Sequence, residues 1–321
     1  MPTLLITGGH GGIGLVCAGH IAASAKLDLV LAGRSAGKVE EIARRLRQAH
    51  RVRVATLELD VASLESVRNA AARCRRMLDR GDIDALQAIV CNAGARFRSA
   101  SYSVDGYEQT FATNCLGHFL LVNLLIDRVA EDGRIVFTAS GTHDPETADG
   151  RMVGAALEPN AFALAGEGKD GARPNSAGRL YSTSKLCSIL NAYELHRRLR
   201  KAGSSVASIA FDPGLTTGTG FLRNMPAPVQ WLAATPVLPW MARRLGVTIG
   251  SAEFSGKALG RIAADATFGD GSGKYFQSKD GHLIEAQSSR MSYDENRARV
   301  LWQDMKQLAH LRPEEESALL Q

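Results

Sequence analysis

The sequence has 321 residues and a formal net charge of +5 at pH 7. Hydrophobic residues make up 45% of it and charged residues 22%, which is ordinary for a soluble globular protein. The arginines cluster in helical stretches such as 43–53 and 73–80, without interleaved aromatic residues. This pattern favours solvated helix faces and argues against a nucleic-acid surface.

The spacing of the cysteines, histidines and apolar residues argues against disulfide-rich, metal-binding and membrane-spanning classes of protein. The five cysteines form no CxxC pair and the eight histidines have no metal-ligand spacing, so we predict no disulfide framework and no metal site. No apolar run reaches the roughly 20 residues of a membrane span. Because the first predicted strand begins by residue 3, we expect no signal or transit peptide and a cytoplasmic location.

Short apolar strands alternate with helical segments along the chain. The pattern predicts strands near 3–7, 27–32, 52–59, 86–91, 133–139, 205–211 and 273–277. Helices are predicted near 13–25, 36–49, 64–80, 105–130 (as two helices), 180–202, 248–264 and 292–310. This alternation predicts a single α/β domain, 1–321, with a Rossmann-type doubly wound parallel sheet of about seven strands and helices on both faces.

Two segments interrupt the alternation. Residues 141–179 are rich in glycine, alanine, proline and polar residues, and 215–246 combine prolines with Trp231 and Trp240. Long irregular segments in compact domains are usually functional or mobile, so we expect 215–246 to be a substrate lid. The tryptophans suit core packing of that lid as well as they suit substrate contact.

A glycine-rich turn follows the first predicted strand. It reads Thr7-Gly8-Gly9-His10-Gly11-Gly12-Ile13-Gly14, and a helix is predicted from Ile13. Strand, glycine turn and helix together form the context of a dinucleotide site, where glycines admit the pyrophosphate and the helix N-terminus supplies amide donors. The spacing is GxxxGxG, and an ordinary glycine loop is the alternative interpretation.

The second predicted strand ends in Gly33-Arg34, where an NAD site would carry an acidic residue for the ribose 2′-hydroxyl. A guanidinium instead suits a 2′-phosphate through paired, charge-assisted hydrogen bonds. We therefore predict NADP(H) rather than NAD(H). Lys38 could assist, although a solvated helix position accounts for it as well.

Tyr181-Ser-Thr-Ser-Lys185 places a tyrosine and a lysine one helical turn apart. A nearby ammonium favours the phenolate, so the spacing predicts a lowered tyrosine pKa and proton transfer at a carbonyl. Such pairs also arise by chance on solvated helix faces, so the pair has weight only together with the other motifs.

Taken in order, the motifs resemble those of the short-chain dehydrogenase/reductase family over about residues 3–280. They are the glycine turn, Asp60-Val61, Cys91-Asn92-Ala93-Gly94, Asn114, Ser140, the Tyr181–Lys185 pair and Asp212-Pro213-Gly214. Residues 112–121 and 181–199, the Leu301-Trp302 segment and the insertion 141–179 most resemble the branch of protochlorophyllide reductases and retinol dehydrogenases.

The resemblance implies a catalytic set of Asn114, Ser140, Tyr181 and Lys185. Tyr181 would transfer the proton, Ser140 would polarise the carbonyl, Lys185 would support the phenolate and bind ribose hydroxyls, and Asn114 would hold a water. Residue by residue, the cofactor contacts that we predict are Thr7, Gly8, His10, Gly11, Gly12, Ile13, Gly14, Arg34, Asp60, Val61, Asn92, Ala93, Gly94, Tyr181, Lys185, Pro213, Gly214, Thr216 and Thr217. For Asn92, a structural role in tying the central strands together is equally open.

The resulting hypothesis is an NADP(H)-dependent oxidoreductase for the carbonyl or alcohol of a hydrophobic small molecule, with a homodimer left open. The alternative is light-dependent C=C reduction of protochlorophyllide. Against it, those reductases carry a cysteine after the Pro-Gly and a tyrosine before it, where this chain has Leu215 and Asp212. A catalytically idle NADP sensor or scaffold is a second alternative, which the presence of Ser140, Tyr181 and Lys185 disfavours.

Overall fold

The protein is described by a computed structural model that covers residues 1–24, 26–99, 101–217 and 248–321. Of the predicted lid, only Leu215–Thr217 falls within these ranges. The rest of the lid, with Trp231 and Trp240, lies outside the described residues.

The described strands form one central sheet of eight strands and a separate pair. In chain order the strands are β1 (Thr3–Thr7), β2 (Asp28–Gly33), β3 (Val54–Glu58), β4 (Leu86–Cys91), β5 (Val129–Thr138), β6 (Ala207–Asp212), β7 (Leu215–Thr217), β8 (Ile249–Ser251), β9 (Tyr275–Lys279) and β10 (His282–Ala286). The central sheet runs β3-β2-β1-β4-β5-β6-β9-β10, and all pairs in it are parallel except β9 with β10. The predicted α/β fold with a largely parallel sheet is confirmed.

The prediction missed the antiparallel strand β10 and the short parallel pair of β7 with β8. Strand β10 follows β9 through Asp280-Gly281, whose φ angles are +48° and +80°. Asp-Gly between two strands is a strong hairpin signal, because both positions of a tight hairpin turn need positive φ. The signal was therefore present in the sequence, although β10 is largely exposed and lacks the apolar character of a central strand.

Helices cover both faces of the sheet. They are α1 (Gly12–Ser24), α2 (Ala36–Ala49), α3 (Leu64–Asp79), α4 (Gln109–Phe111), α5 (Gly117–Leu125), α6 (Ala148–Val153), α7 (Ala161–Ala165), α8 (Ala177–Lys201), α9 (Ala252–Ala264) and α10 (Glu295–Leu308). Helices α6 and α7 lie in the segment 141–179, for which no helix was predicted. A π-helical turn, Ala112–Leu116, joins α4 to α5 where two separate helices were predicted.

Two hydrophobic cores lie on opposite sides of the sheet, because successive residues of a strand point to opposite faces. Leu5 of β1 belongs to the core beneath α3, α5, α8 and α10, whereas Leu4 and Ile6 belong to the core beneath α1, α2 and α9. Trp302 of α10 is fully buried in the first core and meets Phe119 edge to face, with ring centres 4.8 Å apart. The central strands are thus held from both sides and present a rigid carboxyl edge.

One helical stretch in the described part of the chain, Gln109–Arg128, is long and apolar enough to cross a membrane by length and composition alone. Within the fold, 89% of its apolar window is buried inside the protein. Its apolar character is therefore accounted for by packing against the sheet.

Candidate active site

The glycine-rich turn joins β1 to α1 at the carboxyl edge of the sheet. Gly8 and Gly12 have φ angles of +71° and +53°, which side-chain-bearing residues rarely adopt. At Gly14 a Cβ atom would lie 2.5 Å from the Gly8 carbonyl oxygen, so the helix could not approach the turn with any larger residue. Gly11 meets no atom within 4 Å of a Cβ position and lines an open cleft. The turn therefore leaves its backbone and the start of α1 accessible to a phosphate group.

Thr7 and Asn92 tie β1 to β4 beside this turn. The Thr7 hydroxyl oxygen accepts hydrogen bonds from the amides of Asn92 and Ala93, at 3.0 and 2.9 Å. The Asn92 side-chain amide donates to the Thr7 carbonyl oxygen at 3.0 Å. These bonds give Asn92 the structural role that its sequence position left open, while it also lines the cleft.

His118, which was not predicted as a site residue, lies beside Thr7 at the start of the glycine turn. Its Nε2 lies 2.9 Å from the Thr7 hydroxyl and its Nδ1 lies 3.4 Å from the Asn114 carbonyl oxygen. Burial lowers the pKa of His118 to about 4, so the ring is neutral at physiological pH. His118 thus connects the strand that carries the glycine turn to the helix that carries Asn114.

Basic side chains surround the end of β2. His10, Arg34 and Lys38 line the same cleft, as does Ser35. Among the described residues, Arg34 and Lys38 form no ion pair, whereas the acidic Glu40 and Glu41 of α2 are paired with Arg47 and Arg45. This end of the cleft is therefore positively charged, as a site for a 2′-phosphate requires.

Lys185 is buried at the other end of the cleft, with only 5% of its surface exposed. Its ammonium donates a 2.8 Å hydrogen bond to the Thr138 carbonyl oxygen and lies 5.7 Å from the centre of the Tyr181 ring. Burial lowers the pKa of Lys185 to about 8. A Cβ atom on Gly94 would lie 3.4 Å from this ammonium, so the backbone after β4 passes directly beside it.

Asn114 lies in the π-helical turn, a distortion that is frequent at functional sites. Its Nδ2 donates to the carbonyl oxygen of Ala95 at 3.0 Å and to the hydroxyl of Ser184 at 2.9 Å. Its Oδ1 accepts from the Ala95 amide at 2.9 Å. Both amide protons are thus in use, and Asn114 ties the chain after β4 to α8.

Ser140 and Tyr181 meet at the cleft. Both line it, and the Ser140 oxygen accepts a hydrogen bond from the Thr142 hydroxyl at 3.2 Å. Burial raises the pKa of Tyr181 above its usual value, and the Ser140 side chain and the Arg96 guanidinium only partly counter this rise. The predicted lowering of this pKa is thus wrong for the protein alone, because desolvation and the Asp212 charge raise the pKa by more than the opposing groups lower it.

Two carboxylates near Ser140 were not predicted as site residues. Asp212 is fully buried and accepts hydrogen bonds from the Gly214 amide, the Tyr275 hydroxyl and the Gln277 amide, at 2.8, 3.0 and 2.7 Å. Asp149 lines the cleft, and burial raises its pKa to about 6 with the help of the nearby Asp212 charge. Asp212 was visible beside the Pro-Gly motif, but nothing in the sequence signalled Asp149.

The cleft is a single cavity of about 670 Å³ along the carboxyl edge of β1, β2, β4, β5 and β6. It is lined by the predicted catalytic and cofactor-binding residues other than Gly14, Asn114 and Thr217. Gly14 and Asn114 are buried next to residues that line the cleft. The structure does not describe the side chain of Thr217. Arg96, Phe97 and Met152, which the prediction omitted, also line it. The glycine turn, the basic end and the tyrosine-lysine end thus share one cleft, which fits a dinucleotide.

Comparison with known proteins agrees with this architecture. Residues 2–152 match the family model for short chain dehydrogenases. Protochlorophyllide reductase A of Oryza sativa subsp. japonica, chloroplastic by name, is 31% identical over 325 residues, covering 96% of this chain and 80% of the rice protein. The chain therefore belongs to the short chain dehydrogenase family, an oxidoreductase family, and within it resembles the protochlorophyllide reductases.

Solved structures share the fold. A putative uncharacterized protein from Mycobacterium paratuberculosis has a TM-score of 0.69 and 26% identity, with 97% of this chain and 94% of that chain covered. The angucycline C-6 ketoreductase LanV, solved with bound NADP, has a TM-score of 0.61 and 17% identity, with 86% of this chain and 93% of that chain covered. At 17% identity the second likeness concerns the fold alone.

Proposed function

We propose that this protein is an NADP(H)-dependent oxidoreductase that transfers hydride between nicotinamide and the carbonyl or alcohol carbon of a hydrophobic small molecule. The observation that carries the proposal is that Ser140 and Tyr181 line the same cleft as the glycine turn. A hydroxyl pair at the end of a dinucleotide cleft suits a carbonyl oxygen, because one group polarises it and the other protonates it.

The cofactor fits the residues of the cleft. The glycine turn and the N-terminus of α1 would hold the diphosphate, and Arg34 would hold the 2′-phosphate of the adenosine ribose. Lys185 would donate to the nicotinamide ribose hydroxyls, and Pro213 and Gly214 would border the nicotinamide. When bound, the cofactor supplies the hydride, and the protein supplies position and electrostatics.

Each catalytic side chain has a defined task in carbonyl reduction. Ser140 donates a hydrogen bond to the carbonyl oxygen, which stabilises the alkoxide charge as it develops. Tyr181 donates its proton to the same oxygen. A raised tyrosine pKa keeps that proton in place at neutral pH, which favours the acid role. The Lys185 ammonium then stabilises the phenolate left behind, and Asn114 holds the chain after β4 against α8.

Reduction of a C=C bond in a protochlorophyllide-like pigment is the second candidate. It is supported by the 31% identity to the rice reductase over nearly the whole chain. Leu215 and Asp212, which flank Pro213-Gly214 in place of a cysteine and a tyrosine, weigh against it. We rank carbonyl chemistry first for this reason.

Isotope transfer separates the two reactions. NADPH with deuterium at both C4 positions is incubated with a panel of hydrophobic ketones and aldehydes, and separately with protochlorophyllide in darkness and under flashes. Carbonyl reduction places deuterium on the carbinol carbon in darkness, whereas pigment reduction places it on a ring carbon only after light. Tyr181→Phe is the control for reaction at this site. NADPH binding without any transfer would instead support the catalytically idle alternative.

The remaining proposals concern the domain organisation, the partners and the cellular location of the protein. We propose that 1–321 form a single NADP-binding domain with an insertion at 141–179, and that 215–246 act as a lid over the substrate. We also propose a cytoplasmic protein without a nucleic-acid partner and without a membrane span, and leave a homodimer open. The rice relative is chloroplastic by name, so fractionation of cells that express the tagged chain tests the location.

A further inference from the structure

His10 lies at the basic end of the cleft, inside the glycine turn and against the end of β2. A Cβ atom on Gly33 would lie 2.6 Å from both Cε1 and Nδ1 of the imidazole. The ring therefore packs on the backbone of Gly33, the residue directly before Arg34. Only a glycine at position 33 leaves room for this contact, so the ring is held against the backbone that directly precedes Arg34.

The imidazole has unused hydrogen-bonding capacity. Its Nδ1 is buried and has no hydrogen-bond partner within 1–24, 26–99, 101–217 and 248–321. The ring as a whole is partly exposed and lines the cleft. A buried ring nitrogen without a partner is costly unless a ligand, a water or a shift of the ring satisfies it.

The charged groups around His10 come from three parts of the chain. Arg34 at the end of β2 and Lys38 of α2 are cationic, and Asp60 after β3 is acidic; all three line the cleft that His10 lines. One Asp60 carboxylate oxygen accepts a hydrogen bond from the Ala62 amide at 3.0 Å. Burial, and then the Lys38 charge, lower the pKa of His10, so the ring is neutral at pH 7 in the protein alone.

We propose that His10 makes recognition of the 2′-phosphate dependent on pH: it takes up a proton when an adenosine 2′-phosphate binds beside Arg34 and Lys38. The inference rests on the proposed NADP(H) function and deepens it. It assigns His10 to the phosphate that distinguishes NADP(H) from NAD(H), rather than to the diphosphate common to both.

The direction of the effect follows from linkage. A phosphate monoester carries a charge of about −1.5 to −2 at pH 7, so it favours the imidazolium and raises the pKa of His10 in the complex. Between the pKa of the free protein and that of the complex, binding takes up a proton, so affinity rises as pH falls. The contribution of the His10 proton to NADPH affinity is lost as pH rises through the pKa of His10 in the complex. The phosphate itself titrates near pH 6 with the opposite sign, so a reference variant is needed.

The test measures binding and needs no substrate. Dissociation constants for NADPH and NADH are measured by fluorescence titration from pH 6.5 to 8.5, for the wild type and for His10→Gln. Glutamine keeps a donor and an acceptor but cannot gain a charge. At pH 6.5 we expect the substitution to weaken NADPH binding by about threefold to tenfold, the margin by which a charge-assisted bond exceeds a neutral one, and at pH 8.5 by much less. NADH binding should change little at either pH.

Calorimetry in two buffers of different ionisation enthalpy provides a second readout. At pH 7 the wild type should take up more protons on binding NADPH than His10→Gln does, and both should take up equal amounts with NADH. Identical proton uptake and identical pH dependence in the two proteins would overturn the inference. Equal weakening of NADPH and NADH binding would also overturn it, because His10 would then support the turn alone. If the wild type does not prefer NADPH, the proposed cofactor itself fails; if the preference holds, only the role of His10 is at stake.

Discussion

The Lys185 ammonium donates a 2.8 Å hydrogen bond to the carbonyl oxygen of Thr138, the last residue of β5 and two residues before Ser140. Lys185 lies one turn along α8 from Tyr181. The bond therefore holds the helix that carries the tyrosine against the strand end that carries the serine. The relative position of the Ser140 and Tyr181 hydroxyls depends on this contact, in addition to any charge that Lys185 contributes.

The Tyr181 hydroxyl tests the proton-transfer step. Tyr181→Phe removes the hydroxyl while keeping the ring in its place in α8, so folding and NADPH affinity should be retained. Carbonyl reduction should fall by about 10²–10⁴-fold, the range expected when general acid catalysis is lost. Single-turnover NADPH oxidation measures the fall. A variant that keeps near-normal turnover would contradict the assignment.

Arg34 tests the choice of cofactor. Arg34→Asp should weaken NADPH binding by about tenfold to a hundredfold, because a charge-assisted hydrogen bond to the 2′-phosphate is lost and a repulsive carboxylate replaces it. NADH should be affected much less. Arg45→Asp on the exposed face of α2 is a matched control, since Arg45 pairs with Glu41 and does not line the cleft. Equal weakening of both cofactors by Arg34→Asp would rule out a phosphate contact.

The buried charge of Lys185 predicts how stability depends on pH. Its pKa is about 8 in the folded protein and near 10.5 in an unfolded chain. Between these values the unfolded chain holds a proton that the folded protein has released, so stability should rise with pH. Lys185→Met removes this contribution while keeping an unbranched side chain.

Urea unfolding at pH 7 and pH 10 measures the Lys185 effect. The methionine variant should gain stability relative to the wild type at pH 7, and the gain should shrink by pH 10. Lys257→Met, at an exposed position of α9, serves as the matched control. A difference between Lys185→Met and the wild type that is the same at both pH values would show that the ammonium is not desolvated.

Asp212 tests the electrostatics behind the tyrosine. Burial raises the pKa of Tyr181 most, the Ser140 side chain lowers it, and the Asp212 charge comes next and raises it. Asp212→Asn keeps the shape and removes the charge. The basic limb of the pH profile for carbonyl reduction, which reports loss of the Tyr181 proton, should move to lower pH.

Tyr275→Phe provides the control for Asp212. It removes a hydrogen-bond donor to Asp212 without removing the charge. It should therefore leave the basic limb at or above its original pH, while it lowers stability by about 1–3 kcal/mol because a buried acceptor loses a partner. If both substitutions move the basic limb in the same direction, packing rather than charge is responsible.

The sequence by itself determined the order of the parallel central strands and their main helices, the glycine turn and most of the residues that meet at the cleft. These features depend on local rules: alternating apolar runs define the parallel strands, and glycine is required at Gly8 and Gly12 by positive φ angles. The carboxyl ends of parallel strands share one edge, so motifs that end β1, β2, β4, β5 and β6 must converge there. The hairpin between β9 and β10 also has a local signal, the Asp280-Gly281 turn. The strand that follows it is largely exposed and lacks an apolar run, so the sequence pattern did not predict β10.

Only the tertiary structure decided the electrostatics of that cleft. The sequence placed Lys185 one turn from Tyr181 and indicated a lowered tyrosine pKa, but the fold buries the ring and sets Asp212 nearby, so the pKa is raised. Asp212 in turn is held by Tyr275 and Gln277, which lie 63 and 65 positions further along the chain. Desolvation and Coulomb energy are sums over everything close in space, whereas spacing in sequence reports only neighbours on the same helix or strand.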